Sequence, residues 1–153
     1  INPLTMIDVG CGTGILAIAL AKLFPSRIIA VDNDIHSVQM TRRNIVVNKV
    51  VQYVKVYNST GLIGNHLNSR AKYDLIVANI LFKPIKILMR TFIANLSKGG
   101  FLILSGLNIK QARQLKEISK QFGLKVIDER KESNWGSLLL KRIDGKRAIK
   151  QSY

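Results

Sequence analysis

The run Asp8-Val9-Gly10-Cys11-Gly12-Thr13-Gly14 gathers residue types that hold a polar ligand against backbone. Glycines let a chain turn tightly and come close to a bound molecule. Their spacing is informative. A dinucleotide loop takes Gly-x-Gly-x-x-Gly, which would require glycine at position 15, where this chain has Ile15. Here the third glycine comes one residue early, and an acid, Asp8, stands two residues before the first. That arrangement suits a ligand with an ammonium group and no pyrophosphate. About 20 residues on stands Asp32, the distance expected of an acid that accepts hydrogen bonds from both ribose hydroxyls. Asp34 sits where a helix N-cap belongs. The chain has only 9 acidic residues, so three of them at these two places is a concentrated signal. Asn79, in Asn79-Ile80-Leu81, is a third polar group that a strand end would present, although asparagine there also serves turns.

These residues need elements to position them. Apolar runs predict strands over Leu4–Val9, Arg27–Val31, Val51–Tyr57, Tyr73–Ala78, Phe101–Ser105, Leu124–Glu129 and Ser137–Arg142. Helical spacing predicts helices over Ile15–Phe24, Ile35–Asn48, Pro84–Leu96 and Ile109–Phe122. Lys98-Gly99-Gly100 reads as a turn, and Asn134 with Gly136 as the connection between the last two strands. The stretch from Ser59 to Ala71 is polar and weakly patterned, a loop or a short helix. Alternation of strand and helix implies an α/β fold of three layers around a mostly parallel sheet. The closing strand pair is too close for a helical crossover, so it should be antiparallel. In such a sheet, ligands bind beyond the carboxyl ends of the strands, at the point where strand order reverses. All the candidate residues lie at such ends.

Residues 1–142 read as one domain, and 143–153 as a loose basic tail. The strand pattern begins almost at once, which reads as a chain whose N-terminal part is missing. No apolar run approaches the roughly 20 residues of a membrane span, and no signal peptide is visible. A single cysteine excludes a disulfide framework and a cysteine-rich zinc site, and a reducing cytoplasm fits. The charge is +15, from 24 Lys+Arg against 9 Asp+Glu. It fits either a nucleic-acid or ribosomal partner, with non-specific RNA contact, or the Lys-, Ile- and Asn-rich composition of an AT-rich genome.

The segment DVGCGTGILAIA resembles the first motif of class I S-adenosylmethionine-dependent methyltransferases. VANIL at 77–81, ILSGL at 103–107, Gln111 and the closing WGSLLLKR narrow the resemblance to the PrmA family, bacterial methylases of the eleventh protein of the large ribosomal subunit. The likeness spans about Met6 to Arg142. It implies a Rossmann-like, seven-stranded sheet with the last strand antiparallel. It also implies S-adenosyl-L-methionine as cofactor and methylation of lysine or N-terminal amines on a ribosomal protein. The implied cofactor contacts are Asp8, Gly10, Cys11, Gly12, Gly14, Asp32, Asn33 and Asn79, with Asn58 or Ser59 at the adenine. Asn79 would lie beside the transferring methyl, as the catalytic residue. The family's substrate-recognition domain, upstream of the first strand, is not in this sequence. His36 and His66 read as surface residues rather than general bases. A nucleic-acid adenine methyltransferase is a rival reading, but that class carries Asn/Asp-Pro-Pro-aromatic where this chain has Asn79-Ile80-Leu81-Phe82. A small-molecule methyltransferase and a non-catalytic cofactor- or RNA-binding scaffold also fit parts of the pattern.

Overall fold

A computed structural model describes residues 2–62 and 72–143. His66, most of the polar stretch before Tyr73, and the tail from residue 144 onward lie outside the described residues. The elements run β1 (Thr5–Val9), α1 (Ile15–Leu23), β2 (Arg27–Asp32), α2 (Ile35–Val47), β3 (Val54–Asn58) and β4 (Tyr73–Asn79). They continue with α3 (Phe82–Asn95), β5 (Leu96–Asn108), α4 (Ile109–Gln121), β6 (Leu124–Glu132) and β7 (Trp135–Arg142). No described helix is long and apolar enough to cross a membrane.

The seven strands form one sheet in the order β3-β2-β1-β4-β5-β7-β6. Pairings from β3 through β5 are parallel, and β7 runs antiparallel to both β5 and β6. The chain winds outward from β1 to β3, then returns to place β4 on the other side of β1. That reversal opens a crevice at the carboxyl ends of β1 and β4.

Alternate strand residues feed two cores, because successive side chains point to opposite faces. Ile7, Val9, Val31, Ile76 and Leu104 pack beneath Met89 and Phe92 of α3 and Leu115 of α4. Met6, Ile28, Ala30, Leu75 and Val77 pack beneath Ala17 and Ile18 of α1 and Val38 and Ile45 of α2. With both faces of the central strands covered, apolar residues run unbroken along them, which is why those strands are visible in the sequence. At the amino ends, Asp74 ties β4 to its two neighbours, β1 and β5. Its Oδ2 accepts from the backbone amides of Leu4 and Thr5 at 3.0 and 3.1 Å, and its Oδ1 from Ser97 Oγ at 3.0 Å.

Three sequence expectations change. Val51–Tyr53 form a turn rather than the start of β3, with Tyr53 N donating to Val50 O at 3.0 Å. Lys98-Gly99-Gly100 is not a turn ahead of the fifth strand but lies within it. β5 advances from Leu96 to Phe101 while β4 advances only from Tyr73 to Leu75, so the extra residues bulge within one continuous strand. Gly99 takes the bend at φ 70. Gly136 lies inside β7, and Ser133-Asn134 make the turn. Gly136 is needed for packing: a Cβ there would stand 3.1 Å from Ala112 Cβ of α4.

Candidate functional site

The loop after β1 is tied to β2, because the amides of Gly10 and Cys11 both donate to Val31 O, at 2.9 and 3.0 Å. Gly10, Gly12 and Gly14 take left-handed φ of 73, 54 and 82. Their surroundings differ. A Cβ on Gly10 would lie 2.3 Å from Ile80 Cγ2, and one on Gly14 2.7 Å from Thr41 Cγ2. A Cβ on Gly12 would meet nothing within 4 Å.

Next to this loop is a hollow of about 440 Å³ lined by Val9, Gly10, Asp32, Asn33, Ser59, Thr60, Gly61, Ile80, Leu81, Pro84, Ile87 and Leu88. Asp32 is the one charged residue among these. Its Oδ2 accepts from Gly12 N at 2.9 Å and its Oδ1 from Asp34 N at 3.0 Å. Two amides thus fix the plane of the carboxylate, and each oxygen keeps a lone pair for a ligand hydroxyl. Asp34 is the cap its position announced. It accepts from the amides of His36 and Ser37 at the start of α2, bonds that hold its carboxyl below the usual range. Between the two candidates after β3, Ser59 lines the hollow. Asn58 turns its amide to Asp32 O at 3.0 Å instead.

A second hollow, about 480 Å³, is lined by Asn79, Ile80, Leu81, Ser105, Gly106 and Trp135. It shares Ile80 and Leu81 with the first. Gly106 leaves room for Asn79, since a Cβ there would come 2.8 Å from Asn79 Oδ1. The polar end of β4 and the acid of β2 therefore flank Ile80, which rests on Gly10.

Asp8, expected to meet a ligand's ammonium, lines neither hollow. It is fully buried on the α1 side of the sheet, where Oδ2 accepts from Ala17 N at 3.0 Å. It thereby caps α1 from the strand below, because Gly14 at the N-cap has no side chain to offer. Its Oδ1 has no partner. Burial, helped by the negative charge of Asp32 and opposed by the Ala17 bond, raises its pKa to about 7. Cys11 is also turned inward, with Sγ 3.4 Å from Thr41 Oγ1, and burial pushes its thiol up to about 11. That is an inert thiol.

The sequence reading missed two groups. Thr41 and Asn44 of α2 grip the loop, with Thr41 Oγ1 donating to Gly12 O at 2.9 Å and Asn44 Nδ2 to Thr13 O at 2.8 Å. Leu81, Pro84, Ile87 and Leu88 form an apolar wall. Ile87 could have been found, as a large apolar residue off the buried stripe of its helix and 70% exposed. His36 is exposed at the start of α2 and reaches neither hollow.

A model of the family described as ribosomal protein L11 methyltransferase (PrmA) matches residues 2–143. The chain belongs to this family. It is 36% identical over 140 residues to a ribosomal protein L11 methyltransferase of Campylobacter concisus, covering 92% of this chain and 47% of that protein. To the one of Bradyrhizobium diazoefficiens it is 34% identical over 142 residues, covering 93% and 48%. The chain thus spans about half the length of these curated relatives. A crystal structure of ribosomal protein L11 methylase from Lactobacillus delbrueckii subsp. bulgaricus superposes with a TM-score of 0.85 at 28% identity, covering 94% of this chain and 72% of that one. Within this fold the first hollow sits at the β1/β4 switch point, and the second adjoins it at the ends of β4 and β5.

Proposed function

We propose that residues 1–142 are the S-adenosyl-L-methionine-binding methyltransferase domain of a cytoplasmic protein N-methyltransferase. Its acceptors are amines, of lysine side chains or an N-terminus, on ribosomal protein L11. The observation that carries this reading is the pair of adjoining hollows, one holding the fixed carboxylate of Asp32 and the other the amide of Asn79.

The residues present fit the cofactor. A hollow of about 440 Å³ lies within the roughly 300–1,000 Å³ typical of small-molecule sites. Asp32 offers two oriented acceptors to a ribose, Ser59 and Asn33 offer polar contacts, and Leu81, Pro84, Ile87 and Leu88 offer an apolar wall for a base. Gly10 gives the ligand backbone to lie against. When bound, the cofactor supplies an electrophilic methyl on a sulfonium. The protein's tasks are then to bind, orient and exclude water.

An acceptor amine must be neutral to attack, and at pH 7 only about one free lysine in a few thousand is. Loss of water beside Ile80, Leu81 and Trp135 disfavours the ammonium and lowers that pKa. Asn79 Oδ1 accepts an N–H of the neutral amine and so directs its lone pair. An amide takes no proton at this pH, so the proton leaves to solvent before attack.

The test is transfer of a labelled methyl group from the cofactor to purified ribosomal protein L11, beside bulk RNA as a competing acceptor. Label on the protein's amines, lost in Asn79→Ala with cofactor affinity kept, is the expected result. Label on RNA, or an unchanged rate in Asn79→Ala, refutes the assignment.

A further inference from the structure

Thr41 occupies a place where the fold asks only for a hydrocarbon. It lies on the buried stripe of α2 with Val38 and Ile45 and is itself fully buried. A valine would fill the same volume. A buried mid-helix hydroxyl is commonly satisfied by the carbonyl one turn back. This one leaves its helix and donates to Gly12 O at 2.9 Å.

Gly12 is held from both sides. Its carbonyl takes the Thr41 hydroxyl, and its amide donates to Asp32 Oδ2 at 2.9 Å. The direction a side chain would take from Gly12 is open, with nothing within 4 Å of a Cβ built there. Its φ of 54 is one that glycine adopts as readily as many others. These two hydrogen bonds hold the Gly12 peptide groups in place, and its amide is one of the two donors orienting the Asp32 carboxylate. One helical turn further along, Asn44 fixes the next carbonyl, Thr13 O, at 2.8 Å.

We propose that Thr41 is a positioning residue for the cofactor's ribose: by holding Gly12 it aims the Asp32 carboxylate into the hollow. This rests on the reading that the hollow takes S-adenosylmethionine. Thr41 touches no ligand itself and acts through Gly12 and Asp32. The valine variant loses the hydroxyl and keeps the methyl beside Gly14. The serine variant keeps the hydroxyl.

The experiment is calorimetry on the parent, Thr41→Val and Thr41→Ser with two ligands, S-adenosylhomocysteine and its 2′,3′-dideoxy form. The second offers Asp32 no hydroxyl. Thr41→Val should bind S-adenosylhomocysteine about five- to ten-fold more weakly, the size of one hydrogen bond of about 1 kcal/mol. Thr41→Ser should stay near the parent. The dideoxy ligand should bind the parent and Thr41→Val equally. Equal loss for both ligands would make Thr41 merely structural and overturn the proposal, as would unchanged affinity in Thr41→Val or failure of Thr41→Ser to rescue. A parent that binds neither ligand overturns the cofactor reading itself, a result distinct from all of these.

Discussion

Replacing Asp8 by asparagine should flatten the dependence of this protein's stability on pH. Asp8 is fully buried, gives one oxygen to the Ala17 amide and leaves the other without a partner. Its pKa rises from 3.8 to about 7 on folding, chiefly through burial. The native state therefore holds a proton there that the unfolded chain has already lost at any pH between about 4 and 7. Where the native state binds more protons, stability falls as pH rises. The contribution of Asp8 is complete below pH 3.8, drains away as pH climbs through about 7, and is constant above. A shift of about three units corresponds to roughly 4 kcal/mol at about 1.4 kcal/mol per unit, and relaxation around the site should bring the observed figure to about 2–4 kcal/mol.

The asparagine of Asp8→Asn would keep the shape and still accept from Ala17, but it has no ionisation. Its amide would be short of a partner, at a cost of about 1–3 kcal/mol that does not vary with pH. Chemical denaturation of both proteins from pH 5 to 8.5 reads the difference. The parent should be the more stable near pH 5, and the gap should close or reverse by pH 8. Asp34, Asp74 and Glu129 have carboxyls held below their ordinary range, so their contributions are lost only in more acid solution. Subtracting the two profiles cancels every group the proteins share. Parallel profiles between pH 5 and 8 would show that Asp8 does not titrate there and would refute the inference from its burial.

Asp32→Ala should weaken binding of S-adenosylhomocysteine by about 2–3 kcal/mol, the scale of charge-assisted hydrogen bonds, and equal calorimetric affinities would remove Asp32 from the ribose. Gly10→Ala should lower the melting temperature more than Gly12→Ala. The first meets Ile80 Cγ2 at 2.3 Å, whereas the second meets nothing and bears only the strain of the left-handed backbone, about 1–2 kcal/mol. If the +15 charge serves RNA, binding to an unstructured RNA measured by filter retention should fall steeply with salt as counterions cease to be released. No retention at low salt would leave the charge as composition.

The strands and the crevice were legible because burial on both faces writes unbroken apolar runs, and glycine and acid spacing marks their ends. Asp32 reaches the hollow, as does Ser59, one of the two residues the sequence left open. Asp8 did not, and the reason was present in the sequence. Residues two apart share a face, so Asp8 goes with Met6 toward α1, while Val9 goes with Ile7 toward α3 and lines the hollow. A motif names residues that occur together, whereas alternation says which of them can face one ligand. Glycines posed a different difficulty. Gly99 and Gly136 look alike in a sequence, yet one supplies a φ of 70 and the other an absent Cβ opposite Ala112. The second reason depends on which helix lies across the strand, which no local pattern states. Thr41 is illegible on the same ground. Its helical stripe explains why it is buried, but its hydroxyl has meaning only through Gly12, 29 residues earlier. Contacts of that separation come from the sheet order, so the residues that aim a site appear only after the fold that carries it is known.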